Sequence, residues 1–573
     1  MVQPDTTSAA LGSPISRRRF MSAAAALGLG APVAIGLLTA CGGETPAEPS
    51  EPSGAATSTS AASGSGGASS GGSATPGNES GSSGEAPAGD TDTIVVVDGT
   101  EPESLSPTQG TGPFQHPMAA MYEGLVEFNQ AAELTPRLAT SWEVSSDGTI
   151  WTFNLREGVK FHDGTDFTSE AVKVTFEHLL DPDVAANRRS SYTLIQEIDT
   201  SEDYVVRFVT DPPNPDFPAL MADGSARIIS PAALEKYGAD FGRNPVGTGP
   251  YQFVEWIPND HVTLVRFEDY WGEKPEIKNF IYRPIPEVST RVVVLRTGEA
   301  DIVFNLPPDA VEELESLNDV TIESTPSLTV HMMEPRVKLP PLNDARVRRA
   351  LNMAIDKDAI IEHIMRGYAR PLLTPGIPGL WGTVEFDPIP FDPEQARALL
   401  AEAGYPDGFD VNITYTSGRW AGDDQVVEAV QGFWANIGVR ATVNKVDNAT
   451  FVAALRKDPL EMPGEIIMPI RSSFFLDYHL YRMYHTTATH EDAAQRSGYS
   501  NPAADELLDA QRLMFDEEER AKAFAEAQRL IWEDQPMIYL FHRVNIWGRR
   551  NNLTGFEIHP GNHMIPGKLR KTS

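Results

Sequence analysis

Disulfide chemistry is closed to this chain. One cysteine, Cys41, stands among 573 residues, so no bridge within the molecule can form, and an exported fold must be held together by its core alone. Basic residues are also scarce: 46 Lys and Arg stand against 80 Asp and Glu, a formal net charge of −34. A surface of that sign disfavours nucleic acid and anionic lipid headgroups. Solubility outside the cell explains it more simply than recognition of a cationic ligand. Catalytic signatures are missing too, with no H-E-x-x-H and no Walker loop. The G-x-S-x-G at Gly67 to Gly71 lies in a Gly/Ser tract, without the strand and helix a nucleophile elbow requires.

The lone cysteine has a context. In "SRRRFMSAAAALGLGAPVAIGLLTACGG", Ser16 to Gly43, a basic flank precedes an apolar run from Met21 to Ala40 that ends in small residues. That is the pattern of a signal peptide. Arg17 and Arg18 resemble the arginine pair of a twin-arginine export box, and Leu38-Thr39-Ala40-Cys41 resembles a lipobox. The resemblance implies cleavage before Cys41, lipidation of its sulfur, and no redox or metal role for it. The alternatives are a retained membrane anchor and an ordinary export signal with an incidental cysteine. Residues 41–91 are almost wholly Gly, Ser, Ala, Thr, Pro and Glu, too poor in apolar groups to order themselves. As a flexible tether of some fifty residues they would reach about 40 Å.

The body from about residue 92 is long enough for two or three lobes. "TIVVVDG", "YVVRFVT" and "HVTLVRF" predict strands. "DARVRRALNMAID", "DPEQARALLAEAG", "QVVEAVQGFWANIG" and "DEEERAKAFAEAQRLIWED" predict helices, the second with Asp392 as N-cap, Pro393 at its first position and Gly404 closing it. Strands and helices alternate through the second half, an α/β pattern with mixed sheets. Gly247-Thr248-Gly249-Pro250-Tyr251 reads as a turn rather than a phosphate cradle. Arg346, Arg348 and Arg349 are expected on the solvated or salt-bridged side of a helix whose other face is apolar.

The stretch "MYEGLVEFNQAAELTPRLATSWEVSSDGTIWTFNLREGVKFHDGTDFTSEAVKVTFEHL" resembles the opening of the extracytoplasmic solute-binding proteins of family 5, the peptide and nickel group of ABC importers. "NPVGTGPYQFVEW", "VVLRTGEADIV", "LNDARVRRALNMAIDKDAII", "FDPEQARALLAEAGYPDGF" and "GYSNPAADELLDAQRLMFDEEER" follow in that family's order. The resemblance implies a two-lobed fold of the periplasmic-binding-protein type (type II, cluster C), with mixed sheets and two hinge crossings. It places the first lobe at 92–325 with an extra subdomain at about 127–223, the second at 326–536, and a return to the first at 537–573. The crossings fall near Thr325 to Leu328 and Pro536 to Tyr539. Function follows as capture of a solute in the interlobe cleft for delivery to a membrane permease, with no cofactor, no catalysis and a monomeric state. A secreted, lipid-anchored hydrolase is the alternative from another class.

Peptide-binding relatives imply an aspartate for the ligand's amine, in a tryptophan-containing loop, and an arginine for its carboxylate. The corresponding stretch, Glu465 to Thr487, has no tryptophan, and a gapless match puts Ser472 at the aspartate's place, with Asp477 five residues on. Arg419 stands close to the carboxylate-binding position, beside Trp420. Arg471, Phe474, Phe114 and Tyr122 complete the expected ligand contacts. Phe474, Phe475, Tyr478 and Tyr481 suit a sugar ring or a hydrophobic side chain as well as core packing. The family resemblance implies a di- or oligopeptide, with an oligosaccharide or a nickel chelate as alternatives. His479, His485 and His490 fit no single helical face. His559 and His563 lie in "HPGNH", which is not helical.

Overall fold

Five buried residues in a row, Thr93 to Val97, open the ordered body. The computed structural model describes residues 91–109, 116–186, 188–416, 422–446, 450–451, 464–488, 496–559 and 561–572. Cys41, Arg17, Arg18, Phe114, Arg419, Trp420 and His490 therefore lie outside the described residues, as do the signal and nearly all of the tether. Strand Thr93–Asp98 is apolar on both faces because it has parallel neighbours on both sides, Asn279–Pro284 and Ile302–Val303, and both of its faces are covered. It belongs to a mixed 12-stranded sheet. Strands Tyr251–Ile257 and His261–Arg266 continue that half-sheet antiparallel. The turn before Tyr251 lies against helix His116–Met121, and a Cβ on Gly247 would come 2.2 Å from the Met121 carbonyl oxygen, so glycine is required there for close approach.

A separate antiparallel sheet of four strands, Ala139–Val144, Ile150–Leu155, Val205–Thr210 and Ile195–Glu202, packs on helix Ser169–Leu180. It has its own core around Phe153, Phe176, Phe208 and Phe217.

Two long neighbouring strands join the halves of the main sheet. Val320–Pro335 runs antiparallel to Ile538–Arg550, first as Val320↔Arg550 through Pro326↔Val544, then, after a register shift, from Val330↔His542 to Met333↔Ile538. The Arg549 end of the second strand also pairs with Ile302. At the opposite end, Glu334 and Pro335 pair with Ile467 and Ile466. Beyond lies the second half-sheet, parallel strands Asp410–Thr416, Arg440–Val446 and Ile466–Met468.

Helices of the second lobe start where the sequence signals them. Asp392 accepts from the backbone N–H of Glu394 and Gln395 to cap Pro393–Glu402, satisfying donors that the first turn leaves open. Trp434, on helix Asp423–Ala435, is fully buried and donates to the Leu351 carbonyl at 3.0 Å. Arg348 departs from expectation. Arg346 is exposed and paired with Asp344 at 2.6 Å, whereas Arg348 is buried and donates to the carbonyls of Leu342, Asp534 and Gln535. It thus satisfies backbone acceptors at the end of helix Glu517–Asp534, a demand from a distant segment that helical spacing does not reveal. The fold is α/β and two-lobed with mixed sheets. Among the described residues, no helix is long and apolar enough to cross a membrane.

Candidate functional site

Glu123 is the buried acid next to a cavity that Gly124, Glu127 and Arg137 line. It lies in the loop after helix His116–Met121, 1% exposed, and its carboxylate accepts from Thr248 Oγ1 at 2.8 Å, Tyr270 OH at 2.9 Å and Trp271 Nε1 at 2.9 Å. Arg137 completes the set at 2.7 Å and reaches Glu127 at 3.4 Å. Glu127 and Phe128 end the short strand Val126–Phe128, which pairs with Leu134–Pro136 and so sets Arg137 beside them. Burial lifts the Glu127 carboxyl above the ordinary carboxylate range, although Arg137 opposes the shift.

A hairpin near the C-terminus supplies another side. Glu557–His559 pairs with His563–Ile565, and the rings of His559 and His563 stack at 4.3 Å. Burial lowers the His559 pKa to about 3 and that of His563 well below its usual value, so both rings are neutral at physiological pH. Arg227, in the extended segment after the turn Gly224–Ala226, closes the wall. With Glu127, Phe128, Arg137, His559 and His563 it lines a cavity.

The second lobe meets this wall through the segment before helix Leu476–Tyr484. Phe474 lies against Phe128, ring centroids 5.6 Å apart, and against His559 at 5.3 Å. Ser473 fixes the segment: its hydroxyl donates to the Phe475 carbonyl and accepts from the Phe475 N–H. Charged contacts run along the same seam. Arg520 donates to both oxygens of Asp216 at 2.7 and 2.5 Å. Arg188 pairs with Asp223 at 2.9 Å, its guanidinium 4.8 Å from the centroid of the Tyr478 ring.

Of the residues expected at the ligand, Phe474 faces the first lobe and three others have protein partners. Arg471 holds the buried Glu334 at 2.6 and 2.7 Å. Asp477 accepts from Arg512 at 2.9 and 3.0 Å and from Gln511. Tyr122 is fully buried in the first-lobe core and donates to the Leu105 carbonyl at 3.0 Å. Tyr481 stacks on His485 with Arg512 above it. His479 shares a hydrogen bond with the Pro375 carbonyl at 3.1 Å, and burial lowers its pKa to about 3. Among the described residues no three His, Cys, Asp or Glu side chains converge on a metal position.

Sequence reading missed Arg227 and Asp216, and it named His559 and His563 without the hairpin that pairs them. For Arg227 a signal exists: it is the one charged residue in "GSARIIS", a run otherwise suited to burial. Asp216 and Arg520 lie far apart in the chain and carry no mutual signal.

Residues 133–468 match the family model described as bacterial extracellular solute-binding proteins, family 5 middle. The glutathione-binding protein GsiB of Pectobacterium atrosepticum is 32% identical over 474 residues, covering 82% of this chain and 92% of the relative. Among solved structures, the periplasmic binding protein DppA of Helicobacter pylori, in complex with the peptide STSA, superposes with a TM-score of 0.74 at 26% identity, covering 84% of this chain and 98% of that one. AgaA from A. tumefaciens R10, in complex with agropinic acid, gives 0.72 at 25% identity, covering 84% and 99%.

Proposed function

Because the chain belongs to the bacterial extracellular solute-binding proteins of family 5, we propose that its interlobe cleft captures a di- or oligopeptide-like solute and delivers it to the transmembrane permease of an ABC importer. The observation that carries the peptide assignment is the cavity wall. It sets an acid, Glu127, and two cations, Arg137 and Arg227, beside the Phe128–Phe474 ring pair, which offers both signs of charge and an apolar surface to a zwitterion with side chains. The named ligands of two relatives, glutathione and a tetrapeptide, have that chemistry. Arg419, Trp420 and Phe114 are proposed to complete the contacts. Calorimetric titration of the delipidated protein with glutathione, a di- to pentapeptide pool, and a cello- and manno-oligosaccharide pool tests the reading. Heat from the peptide arms is expected. Response to sugars alone moves the solute to the carbohydrate class.

Residues 1–40 are proposed as a twin-arginine lipoprotein signal, Cys41 as the lipid-bearing N-terminus, and 41–91 as a tether that holds the binding body to the cell membrane on its outer face or periplasmic side. The lobes are proposed to close about the paired crossing strands, whose register shift at Pro326 to Val330 gives the ladder a point of bending. Cys41→Ser is expected to be exported and then shed from the membrane. Replacing Arg17 and Arg18 with lysine is expected to stop export. Intact-mass analysis that finds mature protein with an unmodified Cys41 overturns the anchor.

A further inference from the structure

Arg227 is a cation that the fold itself leaves unanswered. The residue is 7% exposed and lines the cavity beside Glu127, Phe128 and His559. The terminal nitrogen Nη1 is buried without a hydrogen-bond partner, and no described residue forms an ion pair with the guanidinium. Neighbouring acids are committed elsewhere. Asp223 accepts from Arg188 at 2.9 Å and from the Ser225 hydroxyl at 2.6 Å, Glu123 has its four donors, and Glu127 faces Arg137. Burial draws the Arg227 pKa below its ordinary value, against the pull of Glu127 and Asp223. Even so, a guanidinium keeps its charge in proteins. A desolvated cation with open donors destabilises the empty protein, so its place in the wall is explained by what binds there.

We propose that Arg227 anchors a carboxylate of the captured solute, its planar fork donating to both oxygens. This rests on the cleft being the solute site and adds the chemical class of the solute, a compound with a free carboxylate. A single negative charge fits better than a doubly charged phosphate, because Glu127 stands in the same wall and repels excess negative charge. The neutral rings of His559 and His563 leave the guanidinium as the cationic donor on their side.

Arg227→Met and Arg227→Lys, made in the full chain, separate this role from a structural one. Without ligand, Arg227→Met is expected to melt at or above the wild-type temperature, since it removes a buried charge whose Nη1 lacks a hydrogen-bond partner and keeps the volume. Titration then uses three probe sets: di- to pentapeptides with a free C-terminus, the same peptides as C-terminal amides, and the non-peptide carboxylates succinate and gluconate. Wild type is expected to bind free acids at least about tenfold more tightly than amides. Arg227→Met is expected to bind the acids roughly ten- to a hundredfold more weakly and to lose the preference, the loss of one charged hydrogen-bonded contact, with Arg227→Lys between. A preference that survives in Arg227→Met, a fall in ligand-free melting temperature, or a wild type that answers none of the three sets overturns the anchor. Arg227-dependent binding of succinate or gluconate with no response to any peptide retains the carboxylate anchor and overturns the peptide reading instead.

Discussion

Arg520→Met is expected to weaken solute binding by about a hundredfold or more while leaving both lobes folded. Arg520 sits on helix Glu517–Asp534 of the second lobe and grips Asp216 of the first through two hydrogen bonds, with side chains 6% and 15% exposed. The pair spans the two lobes, and the proposed opening of the cleft separates it. Arg520 also donates to the buried Gln511 Oε1 at 3.0 Å within the second lobe, so its removal carries a cost common to the open and closed forms. In the closed form it strands Asp216, whose carboxyl burial already lifts above the ordinary range against the opposing pull of Arg520. Breaking one side of a buried pair costs about 3–5 kcal/mol, which is roughly two to three and a half decades in the closing equilibrium. The double variant Asp216→Asn with Arg520→Met is expected to recover part of the loss, because no charge is then left uncompensated. Small-angle scattering with and without ligand reads the closing step directly. A single variant that compacts as readily as wild type sinks the latch.

The second large effect is on stability. Glu123→Ala is expected to cost about 3–5 kcal/mol, because it leaves a buried Arg137 contact and three further donors without their acceptor. Glu123→Gln keeps one acceptor oxygen and loses the charge that Arg137 answers, so it falls between. The loss is measured by guanidinium unfolding monitored through tryptophan fluorescence, for which Trp271, itself a donor to Glu123, is a local reporter. An alanine variant within about 1 kcal/mol of wild type would show that the network is replaceable by water. Because Arg137 also faces Glu127 in the cavity wall, the same substitution is expected to weaken binding of any ligand that uses that wall.

Local rules carried far along this chain. Asp392 and Pro393 mark a helix start because a cap acts on donors two and three residues away. The strand at Thr93 is visible because a run buried on both faces needs no partner to be recognised. The family blocks extend this to the two-lobed fold. Legibility fails where the partner is remote: Arg348 was expected on a solvated or salt-bridged face, and it is committed instead to carbonyls near residue 535. The site fails in the same way. Aromatics near Phe474 announce themselves by composition, but Arg227 becomes a ligand anchor only when the hairpin at His559 and the strand at Phe128 enclose it. Asp477 shows the converse, since a carboxylate in a promising stretch is answered by Arg512 from another helix.

Pairing of the first lobe with the last residues of the chain bears on the order in which the protein can be made. Ile302 finds Arg549, and Lys571 pairs with the same Asp301 whose other oxygen accepts from the Val95 N–H. A ribosome therefore releases the whole second lobe before the first can complete its sheet. During that interval one edge of strand Ile302–Val303 stands open to pairing with other chains. Synthesis from the N-terminus thus yields a finished second lobe beside an unfinished first. The long sequence separation of these contacts makes slow folding of the first lobe an expected property of the nascent chain.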